Sequence, residues 1–534
     1  MKKYLLILTL FSSALMTLAI PNELFHYGSL SIALIALVPL FMALYRSPSA
    51  GFSSLLGVVY ALSNSFATYF WLLFFQDFSI WTCTGVALGH SLYLVLLFPV
   101  FSRLLKTGGI FRPALIACAW VSYEYIKSIG YLGFPWGLMA YPLEKFLPLV
   151  QIADITGLWS ISFLAVLVNA VIAESLPGSA SRENYSPGGI PSPMSVSASR
   201  PILRNLVFVL ALSVLVLIYG TVRLGTEFPY EKKLKVVLIQ QNADSWVHGL
   251  EMPSIVRGQE LTRDALSDFD ADIIVWSENS FREPYYLRTF LHRPKEDPFV
   301  PFLGESRAPL LVGSPIILDW EKREAMNGAV LIDRNGAVLD TYGKQHPVPL
   351  AEHIPYWEVP FVRNFFENVV GLHSAGWTMG DRYTVFRVVT ADGAPVFFGV
   401  PICFEDAFPY IGRGFFLEGA DLLINITNDS WSRTISAETQ HFAAARLRAV
   451  ESRRVLIRSS NAGVTAVVDP AGRITGILPL FEEGYLTAEV PVYRTDTFTP
   501  YMVYGDWFAW IAILACAGYL IFYRILEKRT RPGT

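Results

Sequence analysis

The chain has 534 residues, of which 53% are hydrophobic and only 16% are charged, and its formal net charge is −3. An average soluble domain carries about 25% charged residues, so this composition excludes an ordinary soluble protein. The lack of a basic surplus argues against nucleic acid as a partner, and four cysteines are too few for a disulfide-stabilised scaffold.

The charged residues are concentrated in the middle of the chain. Of the 87 charged side chains, 62 lie in residues 225–505, 19 in residues 1–224 and 6 in residues 506–534. The middle segment therefore has the composition of a soluble domain, whereas the two flanks do not. We expect a seven-span membrane domain at 1–224, an extramembrane domain at 225–505, and an eighth span with a short tail at 506–534.

The flanks contain eight apolar runs, each near the length of about 20 residues that a membrane-spanning helix needs. These runs are 4–20, 28–45, 53–75, 80–102, 113–129, 157–174, 205–222 and 506–526. The first run alone could be a cleavable signal peptide, but no clear small-residue cleavage site follows it. Lys and Arg in the short loops favour a cytoplasmic N-terminus by 13 to 3, which places residues 225–505 outside the cytoplasm. The Ser-, Pro- and Gly-rich segment 178–201 is then a cytoplasmic linker.

The middle segment alternates short apolar strands with helical patterns. The strand candidates are 234–240, 272–276, 309–316, 328–333, 396–402, 421–427 and 464–468. Their Val- and Ile-rich runs are typical of sheets that are covered on both faces. Residues 253–267 and 437–453 carry apolar residues at helical spacing, with charges interleaved in the second. The segment therefore predicts one layered α/β domain.

Cys403 is the only cysteine in this middle segment, so it has no partner for a disulfide within the domain. It follows the strand candidate 396–402, and Glu278 and Lys344 also follow apolar or strand-like segments. The carboxyl ends of strands are where the sites of α/β proteins collect. A cysteine nucleophile needs a base and a group that stabilises an oxyanion, and a carboxylate and a lysine can supply both.

Histidine is the more usual base for a cysteine nucleophile. The histidines of the middle segment are His248, His292, His346, His353, His373 and His441. None of them lies in a recognisable nucleophile motif. A pair of Cys403 with His441 stays open as an alternative from the residues alone.

Glu278, Lys344 and Cys403, in this order, resemble the Glu-Lys-Cys triad of the nitrilase superfamily, also called the carbon–nitrogen hydrolases. Together with the predicted spans, they make the chain similar to the apolipoprotein N-acyltransferase family of that superfamily. The matching motifs are GFPWGLMAY at 133–141, PLVQIADITGLWSISFLAVLVN at 148–169, VVLIQQNADSW at 236–246, KQHPVPLAEHIP at 344–355, ICFE at 402–405, NITNDSW at 425–431 and QHFAAARLRAVESRRVLIRSSNAG at 440–463. The resemblance implies a nitrilase-like α-β-β-α sandwich for 225–505. The chain departs from the family after Trp431, where the usual Gly-Pro is missing.

The resemblance also implies a role for each matching residue. Glu278 corresponds to the general base, Lys344 to the cation that stabilises the oxyanion, and Cys403 to the nucleophile. Two further acids correspond to supporting positions, and four residues correspond to positions that line the pocket or its mobile arm. The acids are Glu352 and Glu405, and the pocket residues are Trp246, Asn327, Phe404 and Trp431.

The activity that the resemblance implies is a ping-pong acyl transfer, the last step of bacterial lipoprotein maturation. The cysteine would take the sn-1 acyl chain of a membrane phospholipid as a thioester and pass it to the α-amino group of the S-diacylglyceryl-cysteine of an apolipoprotein. No cofactor or metal is implied, and no HExxH spacing is present. The implied form is a monomer in the bacterial inner membrane, with its catalytic domain in the periplasm.

Two alternatives to this activity have different expectations. A membrane-tethered amidase or nitrilase-type hydrolase would use water in place of the amine. A transporter or scaffold without enzymatic activity would need ionisable residues within its spans. The predicted spans one to four and seven are nearly free of charge, which argues against the transporter.

Overall fold

The computed structural model describes residues 1–75, 79–176, 199–243, 249–285, 299–372, 374, 376–493 and 497–530. They divide into two compact units. The first unit contains Met1–Leu72, Cys83–Thr226 and Val503–Thr534, and the second contains Leu73–Thr82 and Glu227–Met502. Trp246 and most of the predicted linker 178–201 lie outside the described residues.

All the regular elements in the described part of the first unit are helices. Its helices are α1 Lys2–Ala19, α2 Leu30–Ala33, α3 Val38–Tyr45, α4 Ala50–Thr68, α5 Ser79–Thr107, α6 Arg112–Ser128, α7 Leu147–Val150, α8 Ala153–Thr156, α9 Trp159–Ser175, α10 Ser199–Leu224 and α17 Trp507–Thr530. Each of the eight predicted apolar runs falls on one or more of these helices. Five helices of the described chain, namely α1, α4, α5, α10 and α17, are long and apolar enough to cross a membrane. A multi-pass helical region is therefore confirmed, and the count of eight spans stays a prediction.

The second predicted run, 28–45, forms two short helices, α2 and α3, and not a single one. Asn169 of α9 bonds the backbone at this break. Its Nδ2 donates to the carbonyl of Ala33 at 2.8 Å, and its Oδ1 accepts from the N–H of Leu37 at 2.9 Å. A broken helix is tolerated within a helical bundle when a neighbouring side chain satisfies the freed backbone groups, and Asn169 does this here.

The second unit contains two sheets of six strands each. The strands are β1 Tyr230–Gln240, β2 Ile273–Val275, β3 Leu310–Asp319, β4 Glu324–Ile332, β5 Val338–Gly343, β6 Val385–Val389, β7 Pro395–Gly399, β8 Leu422–Thr427, β9 Leu456–Ser460, β10 Ala466–Val468, β11 Ile474–Ile477 and β12 Gly484–Tyr493. The first sheet has the order β12-β1-β2-β3-β4-β5, and the second has the order β11-β10-β9-β8-β7-β6. β1, β2 and β3 run parallel to one another, as do β7, β8 and β9.

The two sheets are covered by helices on their outer faces. The helices of this unit are α11 Glu251–Asp268, α12 Phe299–Ser306, α13 Pro360–Phe365, α14 Pro409–Leu417, α15 Ile435–Ser452 and α16 Pro500–Tyr504. α11 packs on β1 and β12, α14 packs on β7 and β8, and α15 packs on β9, while β1 and β9 contact each other between the sheets. The predicted α/β sandwich is thereby confirmed.

The helix predicted at 437–453 is present as α15. Although charges are interleaved along it, every residue of α15 after Ile435 is buried. The charges on it are paired inside the protein; for example, Arg448 Nη2 lies 3.1 Å from Glu451 Oε1. The spacing of charges alone therefore does not distinguish a solvated helix face from one with buried ion pairs.

Five of the twelve strands are not among the predicted candidates, namely β5, β6, β9, β11 and β12, and of these only β5 was noted, as a strand-like segment before Lys344. β9 has the sequence LIRSS, and its last three residues, Arg458, Ser459 and Ser460, are fully buried. A search for apolar runs cannot find a buried strand that is half polar. The Ser459 hydroxyl donates to the carbonyls of Ile239 and Val275, which joins β9 to the first sheet.

Candidate active site

Three strand ends position the three residues of the predicted triad. Glu278 follows β2, Lys344 directly follows β5, and Cys403 begins a short 3₁₀ helix, Cys403–Ala407, just after β7. The Glu278 backbone lies against Gly313 of β3, where an added Cβ would stand 2.6 Å from the Cα of Glu278. Glycine at this position therefore permits the close approach that aims Glu278 into the site.

Lys344 lies between two carboxylates. Its Nζ is 3.3 Å from Glu278 Oε1 and 2.8 Å from Glu352 Oε2. Asn327 joins the same two acids, because its Nδ2 donates to Glu278 Oε1 at 2.8 Å and to Glu352 Oε1 at 2.9 Å. We call Glu278, Asn327, Lys344 and Glu352 the lysine cluster. Lys344 is fully buried, whereas 16% of the Glu352 side chain is exposed.

The electrostatic surroundings within the lysine cluster determine the charge states of Lys344 and Glu278. Burial alone would lower the pKa of Lys344, but Glu278, Glu352 and the Cys403 sulfur outweigh it and hold that pKa well above its usual value. Burial raises the pKa of Glu278, against the opposing effect of Lys344. Lys344 therefore stays charged, and Glu278 is a stronger base than an exposed glutamate.

The Cys403 thiol is in its neutral form at rest. Burial raises its pKa well above the usual value, the Glu278 carboxylate raises it further, and Lys344 opposes both effects only in part. A thiol in this state needs a base to become a nucleophile. Glu278 can act as that base, and it is held in place from a second side by the N–H of Asn428, which donates to Glu278 Oε2 at 2.9 Å.

The backbone at Cys403 is in the left-handed region, with φ at +51°. A residue other than glycine rarely adopts this conformation, and surrounding contacts must hold it there. Asn425 of β8 supplies one of these contacts, since its Nδ2 donates to the carbonyl of Pro401 at 3.0 Å. The turn thus places the Cys403 thiol at a strained backbone position that the second sheet stabilises.

Glu405 connects the cysteine turn to the loop that follows Lys344. Its carboxylate accepts from the N–H of Ile402 at 2.8 Å and from the N–H groups of Gln345 and His346 at 2.7 and 3.1 Å. The hydroxyl of Tyr342 donates to the same carboxylate at 2.9 Å. Burial raises the pKa of Glu405 to about 7. Glu405 therefore bonds both the turn that holds Cys403 and the loop that follows Lys344.

The other predicted pocket residues lie in different surroundings. Phe404 packs among aromatic side chains, with its ring 5.6 Å from that of His346 and 4.9 Å from that of Phe408. Trp431 is half-buried and contacts Phe75 edge to face at 5.2 Å. Asn327 lies in the lysine cluster itself. Trp246 falls outside the described residues.

A second group of charged residues, next to Cys403, was not predicted. It contains Asp406, Asp429, His441 and Arg458, all buried, and we call it the histidine cluster. From the sequence, His441 was predicted only as an alternative base, and Asp406, Asp429 and Arg458 were not predicted. The sequence contains one signal of the histidine cluster. Arg458 lies within the segment LIRSS, and a charged residue in a central strand requires buried partners.

The site is equipped for nucleophilic acyl transfer. It has a thiol, a carboxylate that can take its proton, and a cation that can stabilise an oxyanion. Within the described ranges, no group of three or more His, Cys, Asp or Glu side chains is arranged to hold a metal ion.

Comparison with protein families gives two matches that follow one another along the chain. The apolipoprotein N-acyltransferase N-terminal domain matches residues 12–171, and the carbon–nitrogen hydrolase domain matches residues 252–498. The second match includes Glu278, Lys344 and Cys403.

Similar proteins extend over almost the full length of the chain. Apolipoprotein N-acyltransferase 2 of Treponema denticola is 37% identical, over 97% of this chain and 96% of its own. Apolipoprotein N-acyltransferase of Borreliella burgdorferi is 30% identical, over 99% and 98%. Among solved structures, a carbon–nitrogen hydrolase from Helicobacter pylori is 18% identical, with a TM-score of 0.36 over 52% of this chain and 94% of its own.

Proposed function

The chain belongs to the apolipoprotein N-acyltransferase family, and from this premise we propose that Cys403 carries the acyl group, with Glu278 as base and Lys344 as oxyanion-stabilising cation. The observation that carries this assignment is the position of Lys344, which contacts Glu278 and Glu352 and interacts electrostatically with the Cys403 thiol. The acyl donor is a membrane phospholipid, and the acceptor is a diacylglyceryl-apolipoprotein.

The first half-reaction forms the thioester. Glu278 takes the proton of the Cys403 thiol, and the thiolate attacks the sn-1 ester carbonyl of the phospholipid. The new C–S bond places negative charge on the carbonyl oxygen, which Lys344 Nζ and a backbone N–H stabilise. The ester C–O bond then breaks, and the proton on Glu278 passes to the leaving oxygen, so a lysophospholipid departs and Glu278 is ionised again.

The second half-reaction reverses these roles. The free α-amine of the apolipoprotein attacks the thioester carbonyl, and a C–N bond forms while Glu278 takes the amine proton. The C–S bond breaks, the thiolate leaves, and Cys403 regains a proton from Glu278. Glu278 therefore acts in both half-reactions, and no atom of the protein is consumed.

Glu352 supports the cation during both steps. Its two oxygens lie 2.9 and 2.8 Å from Lys344 Nζ, and Oε2 also accepts from the N–H of Val348 at 2.7 Å. When Glu278 is neutralised by the thiol proton, Lys344 loses one of its two carboxylate partners. Glu352 then keeps the lysine protonated while the oxyanion exists.

The direct test is mass spectrometry of the full-length enzyme after incubation with phospholipid micelles. We expect an acyl adduct on the peptide that contains Cys403, and its loss when a diacylglyceryl-peptide acceptor is added. Cys118→Ala, which removes another free cysteine, is the matched control and should keep the adduct. Release of free fatty acid without peptide acylation would instead indicate the hydrolase, and an adduct on another residue would overturn the nucleophile assignment.

We further propose the topology that the Lys and Arg bias favours. It has eight spans, with residues 1–224 and 506–534 as the membrane part and residues 225–505 as a periplasmic catalytic domain of a monomer in the bacterial inner membrane. Reporter fusions within 178–201 and near residue 300 should report opposite sides of the membrane. Signals from the same side would overturn this topology.

A further inference from the structure

His441 lies between two buried carboxylates. Its Nε2 is 2.9 Å from Asp406 Oδ1, and its Nδ1 is 3.0 Å from Asp429 Oδ1. Arg458 contacts the same two acids, with Nε 3.3 Å from Asp406 Oδ2 and Nη2 2.9 Å from Asp429 Oδ2. The cluster therefore joins α15, β9, the loop after β8 and the cysteine turn.

The histidine cluster reaches both the nucleophile and the base. His441 Nε2 donates to the carbonyl of Cys403 at 3.2 Å, at the residue whose φ is positive. Asp406 lies within the same short helix that Cys403 begins. On the other side, Asp429 directly follows Asn428, whose N–H donates to Glu278. A change in this cluster is thereby transmitted to Cys403 and to Glu278.

The charges within the cluster are balanced. Burial acts to lower the pKa of His441, but Asp406 and Asp429 outweigh burial and Arg458 and raise that pKa to about 9. Despite burial, His441 and Arg458 hold the pKa of Asp429 well below its usual value. Glu438, on the helix of His441, has its pKa raised by burial and by Asp429, which favours its neutral form. Two cations therefore face two carboxylates at neutral pH.

A protonated imidazole cannot accept the proton of the Cys403 thiol. With a pKa of about 9, His441 carries hydrogens on both ring nitrogens at neutral pH. Each nitrogen lies next to a carboxylate, and Arg458 Nη2 also lies 3.0 Å from Nδ1. This arrangement disfavours the alternative pair of Cys403 with His441 as its base. Because His441 contacts the carbonyl of Cys403, we look for a role other than that of a base.

We propose that His441, charged and paired with Asp406 and Asp429, is a positioning residue that fixes the Cys403 turn and supplies the positive charge on which formation of the thiolate depends. This inference rests on the proposed role of Cys403 as the nucleophile. In a variant without the His441 charge, Arg458 alone balances the charges of Asp406 and Asp429. A net negative charge then lies next to Cys403. The Asp429 carboxylate raises the pKa of both Cys403 and Glu278. Without the positive charge of His441, this effect of Asp429 is no longer offset.

The test uses His441→Gln in the full-length enzyme, since glutamine keeps an amide donor but has no charge. The measurement is the rate of acyl-adduct formation on Cys403 between about pH 6 and pH 9, with micelles of phosphatidylethanolamine and phosphatidylglycerol. We expect the pH profile to move upward by about one unit and the rate at neutral pH to fall roughly tenfold. Arg448→Gln is the matched control, because it removes a buried cation from the same helix that pairs with Glu451. It should reduce the unfolding temperature and leave the profile in place.

A second variant restores the charge balance. His441→Gln combined with Asp429→Asn removes one cation and one carboxylate, so its profile should return to the wild-type position, even if the single variant does not fold. An unmoved profile in His441→Gln, or a displaced profile in the double variant, would overturn the proposal. An absence of adduct on Cys403 in the wild-type enzyme would instead overturn the nucleophile assignment, and the two failures are thus distinct.

Discussion

Two buried cations lie close to Cys403, each between two carboxylates, and they differ in what they can do. Lys344 in the lysine cluster has one partner, Glu352, that is partly exposed, and its ammonium can redirect a hydrogen to a new anion. His441 in the histidine cluster has both ring nitrogens occupied, and its partners are closed to solvent. With the roles proposed above, the same electrostatic arrangement would serve chemistry where one carboxylate is partly exposed and positioning where both are buried.

The largest expected effect comes from replacing Cys403, which lies next to both the lysine cluster and the histidine cluster. Cys403→Ser should lower acyl transfer at least about 1000-fold, because a hydroxyl next to a carboxylate base ionises far less readily than a thiol. The measurement is acylation of a diacylglyceryl-peptide by the full-length enzyme. Retention of more than about a tenth of wild-type activity would contradict the assignment of the nucleophile.

The next prediction distinguishes Lys344, whose partner Glu352 is partly exposed, from His441, whose partners are both buried. Lys344→Gln should slow thioester formation by about 100- to 1000-fold, because it removes the charge that stabilises the oxyanion. Because Lys344 also lowers the pKa of Glu278 and of Cys403, the profile should move upward here too, but unlike that of His441→Gln the rate should not recover at the upper end of the pH range. Single-turnover formation of the Cys403 adduct measures both variants. Equal losses with identical pH profiles would remove the distinction between the two clusters.

Glu352→Gln should produce a smaller loss at the same step. The amide still reaches Lys344 but no longer favours its charged form, so we expect thioester formation to slow by about 10- to 100-fold. The adduct on Cys403 should accumulate more slowly, which mass spectrometry can follow. A variant that forms the adduct at the normal rate and fails only in transfer to the amine would show that this role is wrong.

The smallest expected effect is on the free energy of unfolding. It concerns Glu405, which bonds both the cysteine turn and the loop after Lys344. Its pKa in the folded protein, about 7, lies above the usual value, so the folded protein binds its proton more tightly than the unfolded chain. The free energy of unfolding should therefore fall as pH rises from about 4.5 to 7, by up to about 3 kcal/mol. In Glu405→Gln this fall should be reduced, as measured by unfolding temperature against pH. Glu483→Gln, which removes an exposed carboxylate of the same unit, should keep the wild-type slope.

Glu278, Lys344 and Cys403 could be predicted from the sequence because each follows a recognisable segment. Glu278 and Cys403 come after apolar strands, and Lys344 follows a strand-like segment, so strand ends and a family resemblance were enough to name them. The pairing of Asn327 with Glu278 and Glu352 was not foreseeable from spacing, since it depends on how β4 lies beside those loops.

The histidine cluster was missed because its members are far apart in the chain and look ordinary one by one. Arg458 is one charge in a short polar strand, and Asp406 resembles a solvated loop acid. Only the packing of α15 and β9 against the cysteine turn makes them a group. The break between α2 and α3 was missed for the same reason, because the hydrogen bonds of Asn169 that permit it come from a distant helix.

The pairing of β1 with β12 has a consequence for how the protein is made. These strands stand near the two ends of the second unit, and they pair along nearly their whole length, from Lys232 opposite Val492 to Gln240 opposite Gly484. During synthesis, β1 leaves the ribosome long before its partner exists, and its hydrogen-bonding edge stays open until the end of the unit has been translated. Such contacts between distant parts of a chain form slowly. The first sheet therefore cannot be completed during translation until β12 emerges, and a chain that ends before residue 484 would retain an unpaired edge prone to association with other chains.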